Sequence, residues 1–447
     1  MCLWGLPVVI LATFLLIGVK SYAADEIRIG VIGPMKFTFG QHMWYAAEMA
    51  TEKINAQGGI KIKGKSYKIV LTKVDDNDFL SVPDAVSAME RLVTIDKVKY
   101  IVGGMRTEAV MAQQEVMADN KVIFLGVGAA HGGLTEKINK DYNRYKYFFR
   151  AAPLNMEWQR LQYFAIQAPV LDAIRKELGV AKPKVAIMFD KAQWTAELLE
   201  GAKTIFPRLG CEIVGIWQPS FNATAVTAEL SAIKSAGAHM IFVASAGPAG
   251  NVISRQWGEL RIPAAISGVI LEAGRDTHWK TSNGLCNYLA TIGGLTQDLE
   301  MTKNTLKFVD DYMKKYKEFP IYTATGTYDA VNMLKEAIER AQSLDVEALV
   351  PALEKTDHLG ATVRTRFSTR DNQYPHDPIL GPQDSTAIGL QWQNGKLVCI
   401  WPDGKEAPAE LISAGFPKGW DTVRYKGAGY GKYILPPWVV EYWKGKK

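Results

Sequence analysis

Asp75, Asp76, Asn77 and Asp78 form an unbroken run of oxygen donors, the residue types that hold calcium. The spacing argues against it. A calcium loop of the EF-hand kind spreads its ligands over about twelve residues and closes on a glutamate, and neither feature is present. The run reads instead as a loop capping a helix that begins at Val82. The glycines around Gly128-Ala129-Ala130-His131 suggest a phosphate cradle, but no Gly-Lys-Ser/Thr follows them. The stretch 245–250 (SAGPAG) lacks the Gly-x-Ser-x-Gly elbow that exposes a nucleophilic serine. His376-Asp377 has no further ligand nearby in the chain, and the 6 histidines are scattered without zinc spacing. Cys211, Cys286 and Cys399 show no Cys-x-x-Cys pattern, and their odd number permits at most one bridge. With neither a nucleophile–base pair nor a metal set, the sequence predicts a binding protein without cofactor, not an enzyme.

Periodicity supplies the scaffold. Residues 27–32 read as a buried strand that breaks at Gly33-Pro34. A helix at 43–57 follows, with Ala46, Ala47, Ala50 and Ile54 on one face and Gly58-Gly59 closing it. Strands at 67–74, 100–102, 122–125 and 147–150 alternate with helices at 82–95 and 108–119. After a loop at 151–153 the rhythm restarts: helix 156–178, which Pro169 should kink or split, strand 184–189, helix 195–209, and strand 212–217. Helix 224–236, strand 239–244, helix 250–260 and strand 265–268 complete a second set. Two successive runs of βα units predict an α/β protein of two doubly wound, Rossmann-like lobes. Beyond Thr281 the pattern gives a strand at 288–291, helices at 303–316, 325–343 and 346–355, and strands at 362–367, 388–393 and 397–401. Asn394-Gly395 marks a hairpin between the last two. No linker separates these pieces, so the chain is expected to cross between the lobes more than once.

The 447 residues exceed one core, which agrees with two lobes. A net charge of +6 is dispersed along the chain and not gathered into a nucleic-acid footprint. Residues 6–19 form an apolar run of signal-peptide length, and Ser21-Tyr22-Ala23 places small residues where a signal peptidase cuts. The expectation is export to the periplasm, cleavage after Ala23, and a soluble mature chain, since no later run of ~18 apolar residues follows.

Several segments, in order, resemble the type I periplasmic solute-binding proteins of ABC transporters, the leucine-binding-protein-like receptors for branched-chain amino acids and related solutes. They are 29–40 (IGVIGPMKFTFG), 54–60 (INAQGGI), Asp75-Asp76, 128–135 (GAAHGGLT), 147–150 (YFFR), 190–195 (DKAQWT), 228–238 (AELSAIKSAGA) and 328–331 (YDAV). The resemblance implies a periplasmic binding protein type I fold with a multi-crossover hinge, which binds a solute by closure. It divides the chain into lobe 1 (residues 24–150 plus about 273–355) and lobe 2 (151–272 plus about 356–447). The expected partners are a small solute and a membrane permease, with no nucleic acid, and the chain is expected to be a monomer.

It also implies a site at the strand ends. Thr107 stands where the family has a ligand-binding serine, in the loop Gly103-Gly104-Met105-Arg106-Thr107. Arg106 is a departure: its guanidinium adds a carboxylate contact or turns to solvent or across the lobe edge. Ala130 replaces a family threonine, while the Ala129 carbonyl remains for an ammonium and His131 stands behind the site. Trp194 takes the place of a tyrosine that covers the ligand. Phe39, Tyr322 and Tyr328 are further aromatic candidates, and Glu272 lies two positions past the family's acidic residue. These departures set an acidic or aromatic carboxylate, or an amide, in competition with an amino acid. A sensor that presents the solute to a signalling partner is the alternative to transport.

Overall fold

The computed structural model describes residues 25–420 and 423–446; the leader expected at 1–23 lies outside the described residues. Strands β1 (Asp25–Gly33), β2 (Ile60–Ile62), β3 (Lys65–Asp75), β4 (Tyr100–Gly103), β5 (Ile123–Val127) and β6 (Phe148–Ala152) form one sheet in the order β2-β3-β1-β4-β5-β6. All pair in parallel except β2, which returns antiparallel on β3. β4 and β5 are wholly buried, as apolar strands covered by helices on both faces must be.

The second sheet begins with β7 (Lys184–Phe189), β8 (Glu212–Trp217), β9 (Met240–Ser245), β10 (Ala265–Ile270) and β11 (Ala290–Gly293). After the short β12 (Leu299–Glu300), β13 (Asp357–Leu359) and β14 (Arg364–Arg366), it is completed by β15 (Ile388–Gln393) and β16 (Lys396–Trp401). Its order is β16-β15-β11-β10-β9-β7-β8, with β15 and β16 antiparallel. The hairpin at Asn394-Gly395 forms as its dipeptide requires, with φ of 51° and 85°. β12 pairs with β17 (Lys426–Gly427), and β13 with β14.

The expected lobe boundaries shift. β11 belongs to the second sheet, so the second crossing follows Gly293 and not residue 273. Ala361 packs with Ala46 and Ala324, and Phe367 joins the first core, so the third crossing falls after 367 and not near 356.

Two other expectations change. The helix Met156–Leu178 runs unbroken through Pro169. A mid-helix proline costs about 3 kcal/mol, and here Ala165, Ile166, Val170 and Leu171 on either side of it are buried in the second core, which offsets that loss. The helix Val82–Thr94 is capped by Ser81, whose hydroxyl accepts from Asp84 N at 3.2 Å. Of the polar run before it, only Asn77 reaches this helix, through the Asp84 carboxylate at 2.8 Å. Cys211, Cys286 and Cys399 are buried free thiols.

Candidate functional site

Each sheet has a point where successive strands change direction of travel, between β1 and β4 in the first and between β7 and β9 in the second. Crevices open there at the carboxyl ends of the strands. The two crevices face one another and enclose a cavity of about 300 Å³. Phe39, Met105, Thr107, Ala129 and Ala130 line it from the first lobe, and Lys191, Trp194, Phe221 and Ala246 from the second.

A buried aspartate shapes the loops on each side. Asp78 accepts from Met105 N at 2.9 Å and from Arg106 N at 2.8 Å, which fixes the turn after β4. Burial raises this carboxyl, and the N–H groups of Arg106 and Met105 hold it down. Gly103 lets that turn form: its φ is 128°, and a Cβ would meet the Ile32 carbonyl oxygen at 1.9 Å. In the second lobe Asp190 accepts from Ala246 N at 2.8 Å and Ser245 Oγ at 3.1 Å, joining the ends of β7 and β9. Burial pushes its carboxyl up to about 6, against the pull of Ala246 N. Both aspartates are positioning groups.

Four helices begin at the cavity wall, and their first residues line it: Thr107 (Thr107–Asn120), Met156 (Met156–Leu178), Trp194 (Trp194–Arg208) and Tyr322 (Tyr322–Ala341). Only the second of these has a side-chain cap, from Asn155 to Trp158 N at 3.0 Å. Helix starts carry unspent N–H groups and a partial positive charge, each worth about 0.3–1 kcal/mol to an anion. Thr107 is buried and its hydroxyl makes no hydrogen bond among the described residues. Gln159 is 7% exposed, lines the cavity, and has an amide oxygen with no partner. Both leave hydrogen-bonding capacity open at the cavity wall.

Phe39 and Tyr322 also line the cavity. Arg106 does so with its guanidinium engaged: Nε donates to Glu108 Oε2 at 3.2 Å and Nη1 to the Phe79 carbonyl at 3.4 Å. Glu272 does not reach the cavity. The 3-10 turn Leu271–Gly274 turns Leu271 to it and leaves Glu272 in a separate recess of about 190 Å³, paired with Arg275 at 2.8 Å. The Ala129 carbonyl already accepts one hydrogen bond, from Arg150 Nη1. Tyr328 packs in the first lobe and takes a hydrogen bond from Lys53 at 3.0 Å. Sequence reasoning missed Phe79, Phe221, Gln159 and Tyr163. Only the last two had a signal, lying three and seven residues after Met156 on one helical face.

The lobes touch across the cleft. Glu197 accepts from Gly132 N at 3.1 Å and lies 3.4 Å from His131 Nε2, while Glu108 accepts from Gln193 N at 3.4 Å. Phe79 meets Phe221 with ring centroids 5.4 Å apart. Burial pushes the Glu197 carboxyl up to about 7 despite the Gly132 N–H, and burial with the Arg150 charge lowers His131. These contacts join the two walls of the cleft.

Comparison with known proteins agrees with this geometry. A sequence profile of the periplasmic binding protein family matches residues 26–383. Leu/Ile/Val-binding protein homolog 3 of Brucella melitensis is 27% identical over 386 residues, covering 86% of this chain and 95% of that protein. A branched-chain amino acid transporter substrate-binding protein of Streptococcus pneumoniae, solved with isoleucine, has a TM-score of 0.68 at 22% identity, covering 83% of this chain and 98% of its own. An ABC transporter solute-binding protein of R. palustris, solved with benzoate, has a TM-score of 0.66 at 17% identity, covering 84% and 95%.

Proposed function

Because the chain belongs to the periplasmic binding protein family, whose members bind solutes and are not enzymes, we propose that it is the extracytoplasmic substrate-binding component of an ABC transporter, taking a small carboxylate-bearing solute. It captures the solute by hinge closure and delivers it, chemically unchanged, to a membrane permease. The observation that carries this reading is the convergence of four helix starts, three without side-chain caps, on one cavity between the lobes. An anion there replaces water on N–H groups that the fold leaves unspent. Isoleucine and benzoate, bound by the two related proteins, share a carboxylate on an apolar body. The same description suits a wall of hydroxyl, amide and aromatic groups. Thr107 receives the carboxylate on its hydroxyl and helix N–H, with Arg106 adding positive charge, while Trp194 and Phe221 close on the body from the second lobe. Placement in the periplasm follows the family.

Thermal shift over a library of small carboxylates, amides, sugars and amines tests the reading. A ligand that binds only the folded state stabilises it by about 2.7 kcal/mol at 100 times its Kd. The melting temperature is expected to rise with carboxylates alone. A rise with sugars or amines and none with any carboxylate removes the proposal.

A further inference from the structure

We propose that Glu197 is a positioning residue for solute capture: it clasps the second lobe to the first through the Gly132 backbone, and so sets the affinity for every solute without touching one. The inference rests on the reading of the chain as a solute-capturing protein and deepens it.

Glu197 lies outside the cavity, one helical turn beyond Trp194, which lines it. Residues three apart share a helix face, so the turn that presents Trp194 to the cavity presents Glu197 to the first lobe. Its carboxylate accepts Gly132 N on both oxygens, at 3.1 and 3.2 Å. Gly133 N donates to His131 Nδ1 at 2.9 Å, so the ring proton sits on Nε2, which lies 3.4 Å from Glu197 Oε1. Both donors belong to the first lobe, and among the described residues no hydrogen bond reaches these oxygens from the second. The carboxylate suits its place. Gly132 stands at the start of the helix Gly133–Lys140, which has no side-chain cap from its own chain segment, and negative charge is favoured there. Gly132 also follows closely on Gly128, Ala129 and Ala130, which line the cavity. The clasp therefore holds Trp194 against that loop.

The room for this contact comes from a missing side chain. A Cβ on Gly132 would meet Tyr374 Cε1 at 3.0 Å and Glu197 Oε1 at 3.2 Å, with Glu157 Cγ next at 3.5 Å. Glu157 and Glu197 stand on the second lobe, and Tyr374 packs edge-on against Trp158 of the same lobe. None of the three belongs to the first core. The Gly132 backbone, at φ −61° and ψ −31°, accepts alanine. A methyl group there is a wedge between the lobes that leaves the first lobe's own packing alone. Burial adds to the weight of the contact: the Glu197 side chain is 15% exposed, and a buried carboxylate that loses its donors is penalised. Glu108 returns the exchange from the first lobe, accepting Gln193 N at 3.4 Å. It also lines the cavity, so Glu197 is the residue that isolates the clasp from the solute.

The test uses the mature chain as Glu197→Ala, Glu197→Gln and Gly132→Ala, with circular dichroism confirming the fold of each. Kd and dissociation rate are measured for L-isoleucine, L-leucine, benzoate and 3-phenylpropanoate, and small-angle scattering gives the radius of gyration of the free chains. Glu197→Ala and Gly132→Ala are expected to weaken every solute that binds by the same factor, about tenfold, through faster dissociation, and to enlarge the free chain. Glu197→Gln keeps an oxygen for Gly132 N and should restore most of the affinity. A loss confined to one solute would mean that Glu197 touches it, and overturns the inference. So does a glutamine variant as weak as the alanine one, or a lower melting temperature with dissociation and scattering both unchanged. If none of the four solutes binds the parent, the carboxylate reading falls while the clasp is decided by scattering alone: an enlarged free variant upholds it, and an unchanged one removes it.

Discussion

Arg150→Ala is expected to lower the stability of the unliganded protein by about 3–5 kcal/mol, the cost of stranding one partner of a buried ion pair. Arg150 and Asp377 are both fully buried. Arg150 ties the Ala129–His131 loop to the chain that returns from the first lobe. Asp377 in turn accepts from Asn155 Nδ2 at 2.8 Å and from the Thr135 hydroxyl. His376, stacked on Phe149 at 3.9 Å, also accepts Arg150 N on its carbonyl at 3.0 Å. One network therefore fixes the hinge, the second binding loop and the start of the helix Met156–Leu178. Removing the guanidinium leaves a carboxylate with no counter-charge in a dry site. The double variant Arg150→Met with Asp377→Leu should recover much of the loss, since an apolar pair of similar volume replaces the ions. Urea denaturation reads both. A single variant within 1 kcal/mol of the parent would show that the pair carries no such role.

Trp194→Ala is expected to weaken solute binding by about 30- to 100-fold while leaving the unliganded fold nearly as stable. Covering roughly 100 Å² of an apolar ligand is worth about 2.5 kcal/mol, and 1.4 kcal/mol is tenfold in Kd. Trp194 is half-buried and stands at the first position of its helix, where alanine is an acceptable residue. Under the proposed hinge closure it stands on the lobe that meets the solute, so its loss should fall on the liganded state. Trp194→Phe should keep most of the affinity. Calorimetric titration with the tightest carboxylate, alongside the melting temperature of the unliganded variant, separates the two effects. A Kd within threefold of the parent would place the ring outside the ligand's reach.

Much of the fold was legible because its signals are local. β7, β8 and β15 fall at the residues that alternation and β-branched content mark. The Asn394-Gly395 hairpin follows from backbone chemistry alone. Thr107 and Trp194 were legible as candidates through the family resemblance and Tyr322 as an aromatic residue, and all three line the cavity. What could not be read is long-range. Arg150 donates to a carbonyl 21 residues away, and nothing in the GAAHGGLT segment announces that contact. Glu272 fails for a geometric reason, since one 3-10 turn directs neighbouring side chains into different spaces. Phe79 and Phe221, far apart in the chain, meet across the cleft from opposite lobes. The continuity of the helix through Pro169 depends on tertiary burial, which outweighs a local penalty.

The most direct measurement is a crystal structure of the mature protein soaked or grown with the carboxylate that raises its melting temperature most. The account predicts the carboxylate within hydrogen-bond distance of the Thr107 hydroxyl and the first N–H groups of its helix, with the rest of the solute against the aromatic side chains of both lobes. Density for the acid in the Glu272 recess, or in the cleft with its carboxylate turned away from Thr107, would contradict it.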